Sequence, residues 1–122
     1  PPLPRGGDAV RIPPRLRRET VVVYPHEGNA AYGPVYGSPV TYSPPYKGVY
    51  VEPGNRQAVN SEGREVVANA TAFFDGDVPI GIGDLCEWQG RRYAVIDAQP
   101  QRPFGRTNHV EVLLQSTEDA TP

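Results

Sequence analysis

The 122-residue sequence predicts an all-β chain: a small antiparallel β-barrel with a long inserted loop and an extended N-terminal arm. Three observations carry this. Fifteen prolines and 13 glycines oppose long helices nearly everywhere. Short runs of β-branched and aromatic residues recur between turn-forming Gly, Pro, Asn and Asp residues. Residues 64–74 alternate, with Val66, Ala68, Ala70, Ala72 and Phe74 on one face and Glu65, Val67, Asn69, Thr71 and Phe73 on the other. Five or six such strands without a convincing helix fit a barrel of SH3-like or similar form, because closing a sheet removes most of its edges.

Residues 1–18 read as an extended basic, proline-rich arm. Pro1, Pro2, Pro4, Pro13 and Pro14 oppose helix, Gly6 and Gly7 add freedom, and nothing is periodic. Residues 19–115 form one domain. Its first strand lies around Val21, Val22, Val23 and Tyr24, stopped by Pro25. Residues 28–47 follow as a low-complexity loop in which Gly and Pro interleave with Tyr32, Tyr36, Tyr42 and Tyr46 and end at Lys47. Disordered linkers are poor in aromatics, and tyrosine suits a surface buried against another chain, so this is an interaction loop.

Regular structure then resumes. Residues 49–52 are a short strand closed by Pro53 and Gly54, and residues 66–74 belong to the longest strand. Residues 85–89 and 93–97 flank a tight turn at Gln89, Gly90 and Arg91. Residues 99–107 form a second polar loop, residues 110–114 the last strand, and residues 116–122 a flexible tail. The expected core is Val66, Ala68, Phe74, Leu85, Trp88, Tyr93, Val95 and Val112.

A net charge of -2 gives no global attraction to nucleic acid or to an anionic membrane. The charge is nevertheless uneven. Arg11, Arg15, Arg17 and Arg18 make the arm basic, suited to an acidic protein surface or to phosphates. A single cysteine, Cys86, forms no internal disulfide, and no apolar run reaches the length of a signal peptide or membrane span. Methionine is absent, and Pro1 is what initiator removal before a small residue leaves. The expectation is a soluble cytoplasmic product with no membrane contact.

Catalytic chemistry needs a constellation that the residues do not offer. His26 and His109 are far apart in sequence, and a zinc site wants three or four closely spaced ligands. Cys86 sits in a strand beside Leu85 and Trp88, where a small buried hydrophobe is the commoner role. Asp75, Asp77 and Asp84 lack the spacing of a calcium loop. Gly81, Ile82 and Gly83 do not make a dinucleotide fingerprint. No enzyme activity, cofactor or metal is expected.

The second half carries a more specific pattern. Asn60-Ser61-Glu62-Gly63-Arg64-Glu65-Val66-Val67-Ala68 leads to Phe73-Phe74. Ile82-Gly83-Asp84-Leu85-Cys86-Glu87-Trp88-Gln89-Gly90-Arg91-Arg92-Tyr93-Ala94-Val95 follows, and then Asn108-His109-Val110-Glu111-Val112-Leu113-Leu114. This resembles the head-to-tail stopper and head-completion (head–tail connector) proteins of long-tailed bacteriophages. The resemblance covers about residues 19–115 and is best from residue 60 onward. It implies a structural virion protein in the phage neck, assembled in the host cytoplasm as a homo-oligomeric ring. Adaptor and portal proteins would lie above it, tail proteins below, and packaged DNA in the lumen. Tyr32, Tyr36, Tyr42, Tyr46 and Lys47 would then meet a partner, and the arginine arm would reach the adaptor or the tail. A tail terminator, a capsid-decorating protein, or an SH3-like module binding peptide or nucleic acid are the alternatives.

Overall fold

The computed structural model describes residues 18–45, 47–59, 62–101 and 109–117. Among them are nine strands and no helix. They are β1 (Val21–Tyr24), β2 (His26–Ala30), β3 (Gly33–Tyr36), β4 (Val40–Tyr42), β5 (Tyr50–Val59), β6 (Glu65–Asp75), β7 (Leu85–Trp88), β8 (Arg91–Gln101) and β9 (His109–Ser116). Seven form one sheet in the order β4-β1-β7-β8-β9-β6-β5, while β2 and β3 form a separate two-stranded sheet. Every pairing is antiparallel. The all-β antiparallel class is therefore as the sequence predicts.

One further contact joins the two sides of the large sheet. Glu19, just before β1, and Val49, just before β5, form an isolated antiparallel bridge. Each N–H donates to the other's carbonyl at 3.0 Å. Because β4 is also antiparallel to β1, β4 and the start of β5 run in the same direction beside it.

The main core follows the strand alternation. Val21 and Val23 of β1, Ala70, Ala72 and Phe74 of β6, Cys86 and Trp88 of β7, Tyr93 and Val95 of β8, and Val110, Val112 and Leu114 of β9 are buried together. Val49, Val51 and Val78 complete it. β6 outruns β9: β9 pairs from Ala70 to Asp75, whereas β5 continues the pairing out to Glu65. In this distal hairpin Ala58 and Val66 pack on a second small cluster of Ala68, Ile96 and Leu113. Val66 and Ala68 thus leave the main core to which the sequence assigns them.

The inserted loop is corrected most. Residues 28–47 are expected as a loop, yet they hold most of the β2–β3 hairpin and the sheet-edge strand β4. A lone hairpin and an edge strand each pair on one side only, so they tolerate the Pro and Gly residues that a central strand would reject. Pro53 and Gly54 do not close β5 either. The register jumps from Pro53 opposite Ala70 to Arg56 opposite Ala68, a bulge in which Gly54 takes φ 145°. β5 is an edge strand among the described residues, and a bulge on an edge is a place where a sheet tolerates proline. β8 likewise continues through Gln99, Pro100 and Gln101, paired with β9 beyond the reach of β7. Ser116 belongs to β9 rather than to a tail. At the β7–β8 turn, Gln89 and Gly90 take φ 52° and 75°, the positive values that a two-residue hairpin turn demands.

This division of faces sets mutational costs. Phe74→Ala, which empties the main core, should cost about 3–5 kcal/mol, and Val67→Ala on the outer face should stay within about 0.5 kcal/mol. Urea denaturation of the two variants measures both.

Candidate interaction surface

The β2–β3 hairpin stands apart from the large sheet and is held at its base. Asp84, buried in the turn before β7, accepts the His26 backbone N–H at Oδ1 (2.8 Å) and the Gly81 N–H at Oδ2 (2.9 Å). Hydrogen bonds to a carboxylate are stronger than neutral ones, so one side chain ties the first residue of β2 to the turn leading into β7. The His26 ring lies over Gly83 and meets Tyr36 edge-on, with centroids 6.1 Å apart. The Gly37 N–H closes the hairpin's other end on the Pro25 carbonyl at 2.7 Å.

The tyrosines of this segment have separate fates. Tyr32 sits at the hairpin tip and is 88% exposed. Tyr36 is half-buried beside His26, and burial, then the nearby Asp84 charge, pushes its phenol above the usual value. Tyr42 packs on the main core, edge-on to Phe74 with centroids 5.8 Å apart, and burial raises its phenol too, followed by the Asp77 charge. Tyr46 lies outside the described residues. Lys47 is an intramolecular latch: Nζ is 2.6 Å from Asp77 Oδ2 and 3.9 Å from Asp75 Oδ2. That hydrogen bond holds the Asp77 carboxyl below its ordinary range and the Lys47 ammonium above its own.

Of the basic arm, Arg11, Arg15 and Arg17 lie outside the described residues. Arg18 is exposed and lines a shallow cleft with Glu19, Tyr50 and Val51. Beside it, Tyr50 stacks on Phe73 at 5.4 Å, and Phe73 meets His109 at 5.9 Å. These rings form a stripe across the outer face of β5, β6 and β9. Arg56 and Glu111 pair across the same face at 2.8 Å. His109 Nδ1 is buried there with no hydrogen-bond partner among the described residues.

The groups considered for catalysis are not brought together. Cys86 lies in the core, where burial, and secondarily the Asp84 charge, pushes its thiol far above the ordinary range. His109 stands on the outer face against Phe73. Asp84 is occupied by backbone donors, and Asp77 by Lys47. Among the described residues no group of three or more His, Cys, Asp or Glu side chains is placed to hold a metal ion. A surface cleft of about 440 Å³ is lined by Glu87, Gly90, Arg91, Arg92, Ser116 and Thr117.

Sequence reasoning missed the structural roles of Asp84 and Glu19. Asp84 shows the signal of an acid between glycines and a strand, which reads only as a turn. Glu19 accepts the Trp88 indole N–H at 2.9 Å across 69 residues, a pairing with no local signal. No family model matches the chain and no curated protein matches its sequence.

Asp84→Ala leaves two backbone donors unmet and should destabilise the domain by about 1–3 kcal/mol. Amide exchange at His26 and Gly81 should quicken in this variant more than at Phe74. The Lys47–Asp77 pair is exposed and screened, so Lys47→Ala should cost little, and less still in high salt. A depressed carboxyl stabilises above its unfolded pKa and loses that contribution as pH falls through its folded one. The difference between wild type and Lys47→Ala should therefore vanish below the ordinary carboxylate range, as thermal melts across acid pH would measure.

Proposed function

We propose that the protein is a structural subunit of the neck of a tailed bacteriophage, a head-to-tail stopper that forms a homo-oligomeric ring and performs no catalysis. One observation carries the reading. The described parts of the three segments that resemble stopper and head-completion proteins fold as β6, β7, β8 and β9, which are contiguous in the sheet as β7-β8-β9-β6. Three segments separated in sequence thus make one continuous antiparallel surface.

In this reading the large sheet curls into a small barrel, and the Glu19–Val49 bridge is its seam. A barrel with few open edges suits a ring element that must not aggregate. The β2–β3 hairpin is the projecting element, with Tyr32 as the side chain that meets a partner. Tyr36, Tyr42 and Lys47 hold the projection in place from within. The arginine-rich arm reaches the adaptor above or the tail below, and packaged DNA is retained in the ring lumen. The fold by itself would serve a binding module equally well, so the reading stands on the segments and their joint placement.

The test is electron microscopy of lysates from a phage bearing an early stop codon in this gene. DNA-filled or leaking heads beside separate, complete tails are expected. Overlong or ragged tails would make the protein a terminator, and intact infectious particles would overturn the neck assignment in favour of a binding module.

A further inference from the structure

Among the described residues the exposed large hydrophobic side chains fall into two places. Tyr32, Val40 and Ile82 lie around the β2–β3 hairpin, on its tip, on β4 and in the turn beneath His26. Val59 (59% exposed) and Val67 (44% exposed) lie on the distal β5–β6 hairpin. Val59 pairs with Glu65 and Val67 with Gln57, so the two valines share the face opposite to Ala58 and Val66.

These places are at opposite ends of the domain. At the Glu19–Val49 bridge the two chains are antiparallel. From there β1 leads one way to the hairpin at His26, and β5 leads the other way to Val59. Ten residues of strand at about 3.3 Å each carry Val59 roughly 30 Å from the bridge along the chain.

Each end is also incomplete. Among the described residues the β2–β3 sheet pairs with no other strand, and a lone two-stranded hairpin is marginal in water. β5 is an edge strand of ten residues, with six consecutive exposed residues from Glu52 to Gln57. Its first half is blunted by Pro53 and the bulge, but its second half, Asn55 to Val59, has the backbone groups to accept another strand.

We propose that copies of this chain join head to tail, the β2–β3 hairpin of one lying along the distal β5 edge of the next. Tyr32 covers Val59 and Val67. Two different surfaces at opposite ends give a heterologous contact, which closes into a ring when the rotation permits. The proposal rests on the ring reading above and names the contact that builds the ring.

The test uses full-length chains, with mass read by light scattering and folding by circular dichroism. Wild type is expected to be a closed oligomer. Tyr32→Asp and the double variant Val59→Asp/Val67→Asp are each expected to be folded monomers. Mixed in equal amounts, they should form one-to-one dimers, because the intact hairpin of the second meets the intact β5 edge of the first. Should the double variant lose its β signal, Val59→Lys alone takes its place. Variants that assemble like wild type, or a mixture that stays monomeric, overturn the contact and leave the ring reading standing. A wild-type chain that is monomeric at its highest attainable concentration and also on purified portal–adaptor connectors overturns both.

Discussion

Glu19 joins parts of the chain that the order of the sheet keeps far apart. Its backbone pairs with Val49 through two hydrogen bonds, and its carboxylate accepts the indole N–H of Trp88 and, at 3.3 Å, the amide of Gln89. The first contact fixes β1 beside β5, which stand five places apart in the sheet order. The second fixes both to the β7–β8 turn. Val21, Val49 and Val51 are buried close by in the chain, so the polar contacts lie at the margin of an apolar seam. A domain of this size has little core to spare, and a seam that failed would expose valines on both sides of it.

Asp84 serves a similar purpose at the opposite end of β1. Among the described residues the hairpin has no strand neighbours, and its base is clamped by a buried carboxylate and capped by the His26–Tyr36 contact. The tip has no such support. Gradation from a fixed base to an exposed Tyr32 lets a projection keep its direction while its contact surface adapts to a partner. Tyr36 and Tyr42 look equivalent to Tyr32 in the sequence but are spent on that support, packed inward and half-buried.

Much of the large sheet was legible in the sequence, and the reason is periodicity. The alternation along β6 and the turn residues at Gln89 and Gly90 are local signals that the structure keeps. Legibility fails where edges matter. Proline and glycine in residues 28–47, at Pro53 and Gly54, and at Pro100 read as interruptions. In a strand paired on one side only they interrupt nothing, and whether a strand is an edge is a property of the whole sheet. Non-local polar pairs such as Glu19 with Trp88 are invisible for the same reason, since neither residue announces its partner. For the candidate surface, tyrosine content marked one segment but could not sort the exposed ring of Tyr32 from the packed ones of Tyr36 and Tyr42.

The bulge at Gly54 links these observations. It divides β5 into a half that helps close the main core, through Val51, and a half that extends past β9 with Ala58 resting on the second cluster. A strand ending at Pro53 would complete the domain and leave no protruding edge. The extra length carries Ala58 and Val66 onto Ala68, Ile96 and Leu113, while Val59 and Val67 remain on the open side. A small apolar cluster holding out a hairpin with exposed valines adds little to the core of one subunit. On the reading proposed above, that hairpin is the surface that receives a second chain.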